Sequence, residues 1–398
     1  MKLNIFEIVL TNTEAAYFSG QTVQGHVIIE LAKSTKVKDL RMTFHGKAFV
    51  HWTEQTMRGP GEVRFKEIRH HSATEEYFEV SKSLLSQASS PKNPDDKRVL
   101  EAGQYTYPFK FRIPPTSPTS FEGQFGFVRY WAKVTIERPW KKDVSAKKLF
   151  SVIFPVDLNQ EPAASQPISN QKEKRLCCLC CTSGPIIAEI RLPQKGYVPG
   201  EKLIITADID NRTRRKVQNI AVELLMTTTF HAAYKSRSVT QIVARIQRGS
   251  LKSGNSDSWE GDSLLLPPLP PSFLIGCSII DVKYTLQLRV FPVSPAFDLT
   301  VPLEIIIGTV PLHSTLEYFL TVQHMILPRP QDEGGIRGGA SEVTSDYRQP
   351  QYLPPKFLPS QMCQHQVHDN EDDHCLMLDN NFMPRYITFN FQAVTPRQ

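Results

Sequence analysis

At 398 residues with 40% apolar side chains, the chain is too long for one ordinary core and long enough for two plus a tail. Its net charge of +6 is uneven: residues 1–310 carry about +10 and the stretch from Pro311 onward about −4, so the body suits anionic surfaces. Seven Cys, four of them crowded at Cys177, Cys178, Cys180 and Cys181, do not pair like a secreted disulfide framework; the apolar run at the N-terminus breaks at Asn4 and Glu7, and no run of about 18 apolar residues follows, which argues against a signal peptide and a membrane span.

Residues 3 to 31 read as strand, turn, strand: Ile5, Phe6, Ile8 and Leu10 fill alternating faces, Gly20 marks the turn, and Val23, Val27, Ile29 and Leu31 resume a two-residue period. Further β-branched or aromatic runs lie at Leu40–Trp52, Tyr105–Ile113, Phe127–Arg138 and Phe150–Val156, while Leu84–Leu100 is polar and turn-rich and is expected to be a mobile loop. Residues 158–175 are rich in Gln, Ser, Pro and Lys and read as a linker. Beyond it come strand candidates at Ile186–Leu192, Leu203–Ile209, Ile220–Phe230, Ser238–Gln247, Ser278–Phe291 and Leu299–Ile307. Past Pro328 the alternation stops, and a largely disordered tail is expected.

The chain also repeats itself. Tyr17-Phe18-Ser19-Gly20-Gln21-Thr22-Val23 returns 180 residues later as Tyr197-Val198-Pro199-Gly200-Glu201-Lys202-Leu203, and Lys36-Val37-Lys38-Asp39-Leu40 returns as Lys216-Val217-Gln218-Asn219-Ile220 at the same offset. Val128-Arg129-Tyr130 is echoed by Val282-Lys283-Tyr284, each following a Pro-Pro pair, at Pro114-Pro115 and Pro267-Pro268. A duplicated domain follows, and with it an all-β fold of two tandem β-sandwiches: residues 1–157, a linker over 158–183 that contains the Cys cluster, residues 184–310, and a flexible tail over 311–398.

Specific residues then point to a family. Ser120-Phe121-Glu122-Gly123, Val128-Arg129-Tyr130-Trp131 and Arg138-Pro139-Trp140 resemble the N-domain signature of the α-arrestins, and Cys181-Thr182-Ser183-Gly184-Pro185-Ile186 with Lys195-Gly196-Tyr197-Val198-Pro199-Gly200-Glu201 resembles the start of their C-domain. The resemblance covers roughly residues 3 to 312. It implies arrestin-type immunoglobulin-like sandwiches and a non-catalytic cytoplasmic adaptor, peripheral to plasma membrane and endosomes, that binds receptor or transporter cargo and recruits HECT-type ubiquitin ligases through Pro-Pro-x-Tyr motifs in the tail.

The tail departs from that pattern. Pro354-Pro355-Lys356-Phe357 has Phe in the Tyr position, which keeps the ring for a WW-domain groove but loses a hydrogen bond worth about 0.5–1.5 kcal/mol. Met383-Pro384-Arg385-Tyr386 keeps the Tyr and lacks the first Pro. Tyr386-Ile387-Thr388-Phe389 also fits the Tyr-x-x-hydrophobic pattern that clathrin adaptors read as an extended strand; the alternation of Ile387, Phe389 and Phe391 equally suits a terminal strand docked on a sandwich edge.

Other candidates carry more than one reading each. Cys177, Cys178, Cys180 and Cys181 beside Lys172, Lys174 and Arg175 suit acylation over a basic patch, or burial as small apolar thiols, with zinc, which would need ligands from elsewhere, or redox chemistry as a third reading. Arg212, Arg214, Arg215 and Lys216, like Arg138, Lys141 and Lys142, sit at strand ends and are candidates for lipid headgroups or phosphorylated cargo, or for ordinary solvated turns. Cys363, His365, His368, His374 and Cys375 match no finger spacing, so no metal and no cofactor is expected. No basic stripe with interleaved aromatics argues for nucleic acid, and no Gly-x-Ser-x-Gly, His-Glu-x-x-His or phosphate-loop motif argues for an enzyme. A redox branch of the family captures thioredoxin through a Cys shortly before a Trp; alignment on Trp259 puts Ser256 there, and Ser forms no mixed disulfide.

Overall fold

A computed structural model describes residues 3–58, 65–85, 98–176, 184–293, 297–326, 355–362 and 382–391. The first lobe contains β1 (Leu3–Leu10), β2 (Ala16–Phe18), β3 (Thr22–Leu31), β4 (Thr35–Val37), β5 (Asp39–Arg58), β6 (Phe65–Ser83), β7 (Arg98–Leu100), β8 (Gly103–Arg112), β9 (Phe121–Gly123), β10 (Gly126–Glu137) and β11 (Val144–Ile153). They form a sandwich whose two sheets run β1-β3-β8 and β2-β11-β10-β5-β6, with β9 on β10 and a small β4-β7 pair at one end. The second lobe contains β12 (Ile168–Lys174), β13 (Ile186–Leu192), β14 (Gly196–Tyr197), β15 (Lys202–Asn211), β16 (Val217–Ala232), β17 (Lys235–Arg248), β18 (Ser256–Leu265), β19 (Ile280–Pro292) and β20 (Leu299–Ile307). Its sheets run β12-β13-β15-β18 and β14-β20-β19-β16-β17. A helix, α1 (His313–Ile326), and two short strands, β21 (Lys356–Pro359) and β22 (Arg385–Thr388), complete the described chain.

The alternation predicted for the paired halves is what fills the two cores. In β3, Val23, Val27, Ile29 and Leu31 are buried between exposed or half-buried neighbours, and in β15 Leu203, Ile205, Ala207 and Ile209 take the same positions. The duplicated turn explains the repeated glycine spacing. Gln21 N–H donates to Phe18 O and Glu201 N–H to Val198 O, closing four-residue turns in which Gly20 (φ +84°) and Gly200 (φ +97°) hold the left-handed third position. A side chain is disfavoured there by the carbonyl, so Gly is the residue that fits.

Later in each lobe the internal bonding also repeats. Tyr130 OH donates to Pro118 O at 2.7 Å, and Tyr284 OH to Pro270 O at 2.8 Å. Ser120 Oγ accepts from Val152 N, and Ser272 Oγ from Ile307 N, both at 2.9 Å. Buried hydroxyls of this kind need partners, and each lobe meets the need in the same way.

A shared aromatic and polar seam joins the lobes. Phe230 is fully buried, with its ring 6.5 Å from Phe121 and edge-on at 5.7 Å to Phe125. Around that contact Lys235 pairs with Glu54 at 2.5 Å, Ser278 N donates to Glu75, and Val156 N donates to Thr309 Oγ1 at 2.7 Å.

Several expectations change. Residues 168–174, read as part of the linker, form β12 and pair with β13 from Ile168↔Leu192 to Lys174↔Ile186. His70 and His71, whose simplest sequence reading is a strand end or an exposed turn, lie in mid-strand in β6, which pairs with β5 along nearly its whole length. The run expected at Phe150–Val156 begins earlier, at Val144, because Ser145 and Lys147 face outward from β11 yet are covered. Within the stretch expected to be a mobile loop, residues 86–97 lie outside the described residues, and Arg98–Leu100 form β7. Beyond Pro311, α1, β21 and β22 are structured, and the stretches 327–354, 363–381 and 392–398 lie outside the described residues.

Candidate functional site

The tail motifs come together on the scaffold. β21 and β22 pair antiparallel, with Phe357 opposite Ile387 and Leu358 opposite Tyr386, although 28 residues separate Phe357 from Arg385. Tyr386 is 1% exposed and its hydroxyl donates to Ser120 O at 3.1 Å. Arg385 N donates to Ser151 Oγ at 3.0 Å, and its guanidinium pairs with Glu14 and donates to Phe357 O at 3.2 Å. The half-buried Phe357 ring meets Phe18 edge-on at 5.8 Å, and Pro384 is buried. The strand pair thus seats on β2 and β11 of the first lobe.

The chain then crosses to the second lobe. Phe389 N donates to Pro199 O at 3.0 Å, and Phe389 and Phe391 pack against Leu158, Val198, Ile306 and Leu312. Phe391 also meets Phe319 of α1 edge-on at 5.5 Å. Of the two readings of Tyr386 and Phe389, this arrangement is the docked terminal strand: the Tyr ring that a partner would read is satisfied inside the fold. Pro355 is exposed, whereas Pro354 lies outside the described residues.

Between α1 and the start of β15 lies a cleft of about 600 Å³ lined by Tyr197, Glu201, Ile204, Leu265, Tyr318 and Phe391 among others. Glu201 is 5% exposed; its carboxyl meets a long bond from Val198 N at 3.4 Å and the Thr315 hydroxyl, too little to offset its burial. Burial pushes the Glu201 carboxyl up to about 8, so it is largely protonated at neutral pH. The same cause raises the Tyr197 phenol. Sequence reading missed Glu201 because it sits in the Pro-Gly-Glu turn that a duplicated β-scaffold already explains.

The predicted basic cluster is exposed at the turn before β16: Arg212, Arg214 and Lys216 are on the surface, Arg212 pairs with Asp210 at 2.7 Å, and Arg215 is half-buried with its carbonyl accepting from Asn211 Nδ2 and Thr213 Oγ1. Cys177, Cys178, Cys180 and Cys181 lie outside the described residues, as do Cys363, His365, His368, His374 and Cys375. Among the described residues no group of His, Cys, Asp or Glu is arranged to hold a metal. Ser256 is exposed on β18, its hydroxyl donating to Asp210 Oδ1 at 3.3 Å.

Among the described residues, charged side chains are buried at a few sites. Glu122 (1% exposed) receives a bidentate grip from Arg129, with bonds of 2.5 and 2.8 Å, and the guanidinium lies 3.8 Å above the Phe127 ring. Glu223, equally buried, meets Arg245 at 3.4 Å and Arg289 at 3.2 Å.

Two paired sandwiches with a common internal wiring and a returning tail define an arrestin-type scaffold. Family models agree on both halves: the "Arrestin (or S-antigen), N-terminal domain" matches residues 6–159 and the "Arrestin (or S-antigen), C-terminal domain" residues 182–312. The chain belongs to the α-arrestin family. It is 33% identical over 325 residues to arrestin domain-containing protein 17 of Caenorhabditis elegans, covering 79% of this chain and 73% of that one. Against arrestin domain-containing protein 4 of Homo sapiens it is 32% identical over 305 residues (75% and 69%), and against thioredoxin-interacting protein of Homo sapiens 32% over 307 residues (76% and 74%).

Proposed function

We propose that this chain is a non-catalytic trafficking adaptor that holds membrane receptor or transporter cargo on its two sandwiches and couples it, through the tail, to HECT-type ubiquitin ligases and clathrin-linked sorting. The observation that carries this reading is the tail itself: the two motif-bearing segments, around Phe357 and Tyr386, are gathered into one strand pair on the scaffold. In the seated position Tyr386 is satisfied by Ser120 O, so recruitment requires the pair to lift away. A short pair with few backbone bonds is suited to that, since two strands alone are marginal in water.

The rival reading is a regulator that sequesters a soluble partner, as the name of the thioredoxin-interacting relative suggests for that protein. Ser256 weighs against its redox form, because an alkoxide-poor hydroxyl bonded to Asp210 offers no thiolate for exchange. Proximity labelling in cells separates the two. Receptors, transporters and HECT ligases should dominate the labelled set and the ligases should vanish when Phe357 and Tyr386 are both changed to Ala; a set of soluble enzymes, unchanged by the double substitution, overturns the adaptor reading.

A further inference from the structure

Of the four tryptophans, Trp52, Trp131 and Trp259 are 3%, 1% and 0% exposed, whereas Trp140 is 95% exposed. It stands at the tip of the β10–β11 turn with φ +61°, a conformation that a bulky residue adopts only under constraint. The constraint is local: Arg138 N donates to Asp143 Oδ1 at 3.1 Å and the Arg138 guanidinium donates to Lys142 O, closing the turn with the indole on its outside. No ring contact to Trp140 occurs among the described residues.

Charge surrounds this ring. Lys141 and Lys142 flank it, and Lys38 N donates to Glu137 O at 2.8 Å, which brings the 33–38 segment alongside; Lys33, Lys36, Lys38, Lys141 and Lys142 are all exposed. The acidic neighbours are already engaged. Arg41 takes Glu137 at 2.6 Å and Asp39 at 3.6 Å, and Asp143 accepts from the turn backbone. Among the described residues, none of those five lysines has an acidic partner within ion-pair distance.

We infer that this end of the first lobe is a membrane-docking tip in which Trp140 enters the interfacial layer of an anionic bilayer while Lys36, Lys38, Lys141 and Lys142 contact its headgroups. An amphipathic indole with no pocket around it is suited to the headgroup boundary, where Trp is enriched. Lysine is a compact point charge on a flexible stem, and several of them around an exposed ring suit a diffuse negative surface; a phosphorylated peptide calls for an Arg fork instead. The inference goes beyond the adaptor reading and stands whether or not the tail recruits a ligase.

Because the other three tryptophans are buried, the emission of the intact chain reports on this tip alone when vesicles are added. Phosphatidylserine-containing vesicles should shift the emission to the blue, and brominated phospholipid should quench it; pure phosphatidylcholine should do neither. Lys141→Glu with Lys142→Glu should weaken partitioning about tenfold or more at low salt, and raised salt should mimic the change. Trp140→Ala should abolish the spectral response and reduce sedimentation with vesicles. Trp140→Asn, which tolerates the left-handed turn, should do the same while keeping the thermal transition of the parent, which removes misfolding as an explanation. Absence of vesicle binding, binding that leaves the emission unchanged, binding indifferent to both Trp140 variants, or displacement from vesicles by a phosphopeptide that shifts the Trp140 emission in their place would each overturn the inference.

Discussion

Replacing Glu201 by Gln should make the protein more stable above neutral pH and nearly unchanged in acid. The native carboxyl titrates at about 8 against an ordinary value of 4.5, because it is buried beside Tyr197 with too few hydrogen bonds to offset that burial. Between those two values the unfolded chain has released the proton and the native chain still holds it. The unfolded state therefore binds fewer protons, and stability falls as pH rises through the window, levelling off above about 8. At about 1.36 kcal/mol per pH unit the full fall is about 4–5 kcal/mol, an upper value because α1 can yield locally and let water reach the ionised group. Gln keeps the shape, titrates nowhere in this range and removes that dependence. Urea denaturation of parent and variant at intervals from pH 5 to pH 9 tests the argument: the parent midpoint should drop steeply and the variant's should stay level with respect to this group, so that the difference grows with pH. Parallel midpoints across the range would refute the claim that Glu201 is held protonated.

Three further perturbations bear on the fold and the tail. Gly200→Ala places a Cβ 1.9 Å from Phe389 O in a backbone conformation of φ +97°, so it should dislodge the Phe389–Phe391 segment; amide exchange at Tyr386–Phe391 should accelerate, and unchanged protection would show that the tail is held elsewhere. Arg129→Met removes the bidentate partner of a carboxylate that is 1% exposed and should cost about 3–5 kcal/mol in chemical denaturation, whereas pairing it with Glu122→Leu should recover most of the loss. Phe230→Ala empties the seam between the lobes and should cost about 3–5 kcal/mol and uncouple the lobes, so that the variant unfolds in two transitions where the parent is expected to show one; one sharp transition of unaltered midpoint would mean the seam is not what couples the lobes.

Legibility in the sequence followed how much of each strand the core claims. Strands inside a sheet, with neighbours on both sides, announced themselves: β13 and β20 have the bounds that their apolar alternation suggests, and β15 and β16 extend theirs by a few residues. An edge position alone does not hide a strand, since β1, β8 and β17 end sheets and were legible; among the longer strands, β6, β12 and β18, which escaped notice, also end sheets. Water reaches much of their surface, so the core asks little of their side chains. Among the described side chains, β6 buries only Phe78, β18 Trp259 and Leu264, and β12 none. Their extended form is imposed by the hydrogen bonds of β5, β15 and β13, information that lies in the partner strand rather than in their own residues. Edge strands so rich in charge also discourage pairing with other chains, which accounts for a composition that hides them from periodicity. The exposed Trp140 was legible as part of a family signature but its exposure was not, since an indole in a strand-rich sequence is more often core.

The tail was the least legible part, yet the repeat explains where it goes. Val198 and Pro199 are the counterparts of Phe18 and Ser19 at the 180-residue offset, and the tail leans on both copies of that turn: Phe357 on Phe18 in one lobe, Phe389 on Val198 and Pro199 in the other. A duplicated scaffold thereby offers two equivalent shelves, and one strand pair with the residues just beyond it spans them. The two seats are joined by the short run from Tyr386 to Phe391, so holding one segment raises the effective concentration of the other, and freeing one loosens its neighbour. Weakening the Tyr386 hydrogen bond with Tyr386→Phe should therefore accelerate amide exchange at Phe389 in the other lobe as well as at Tyr386, whereas an effect confined to β22 would show that the two shelves hold the tail independently.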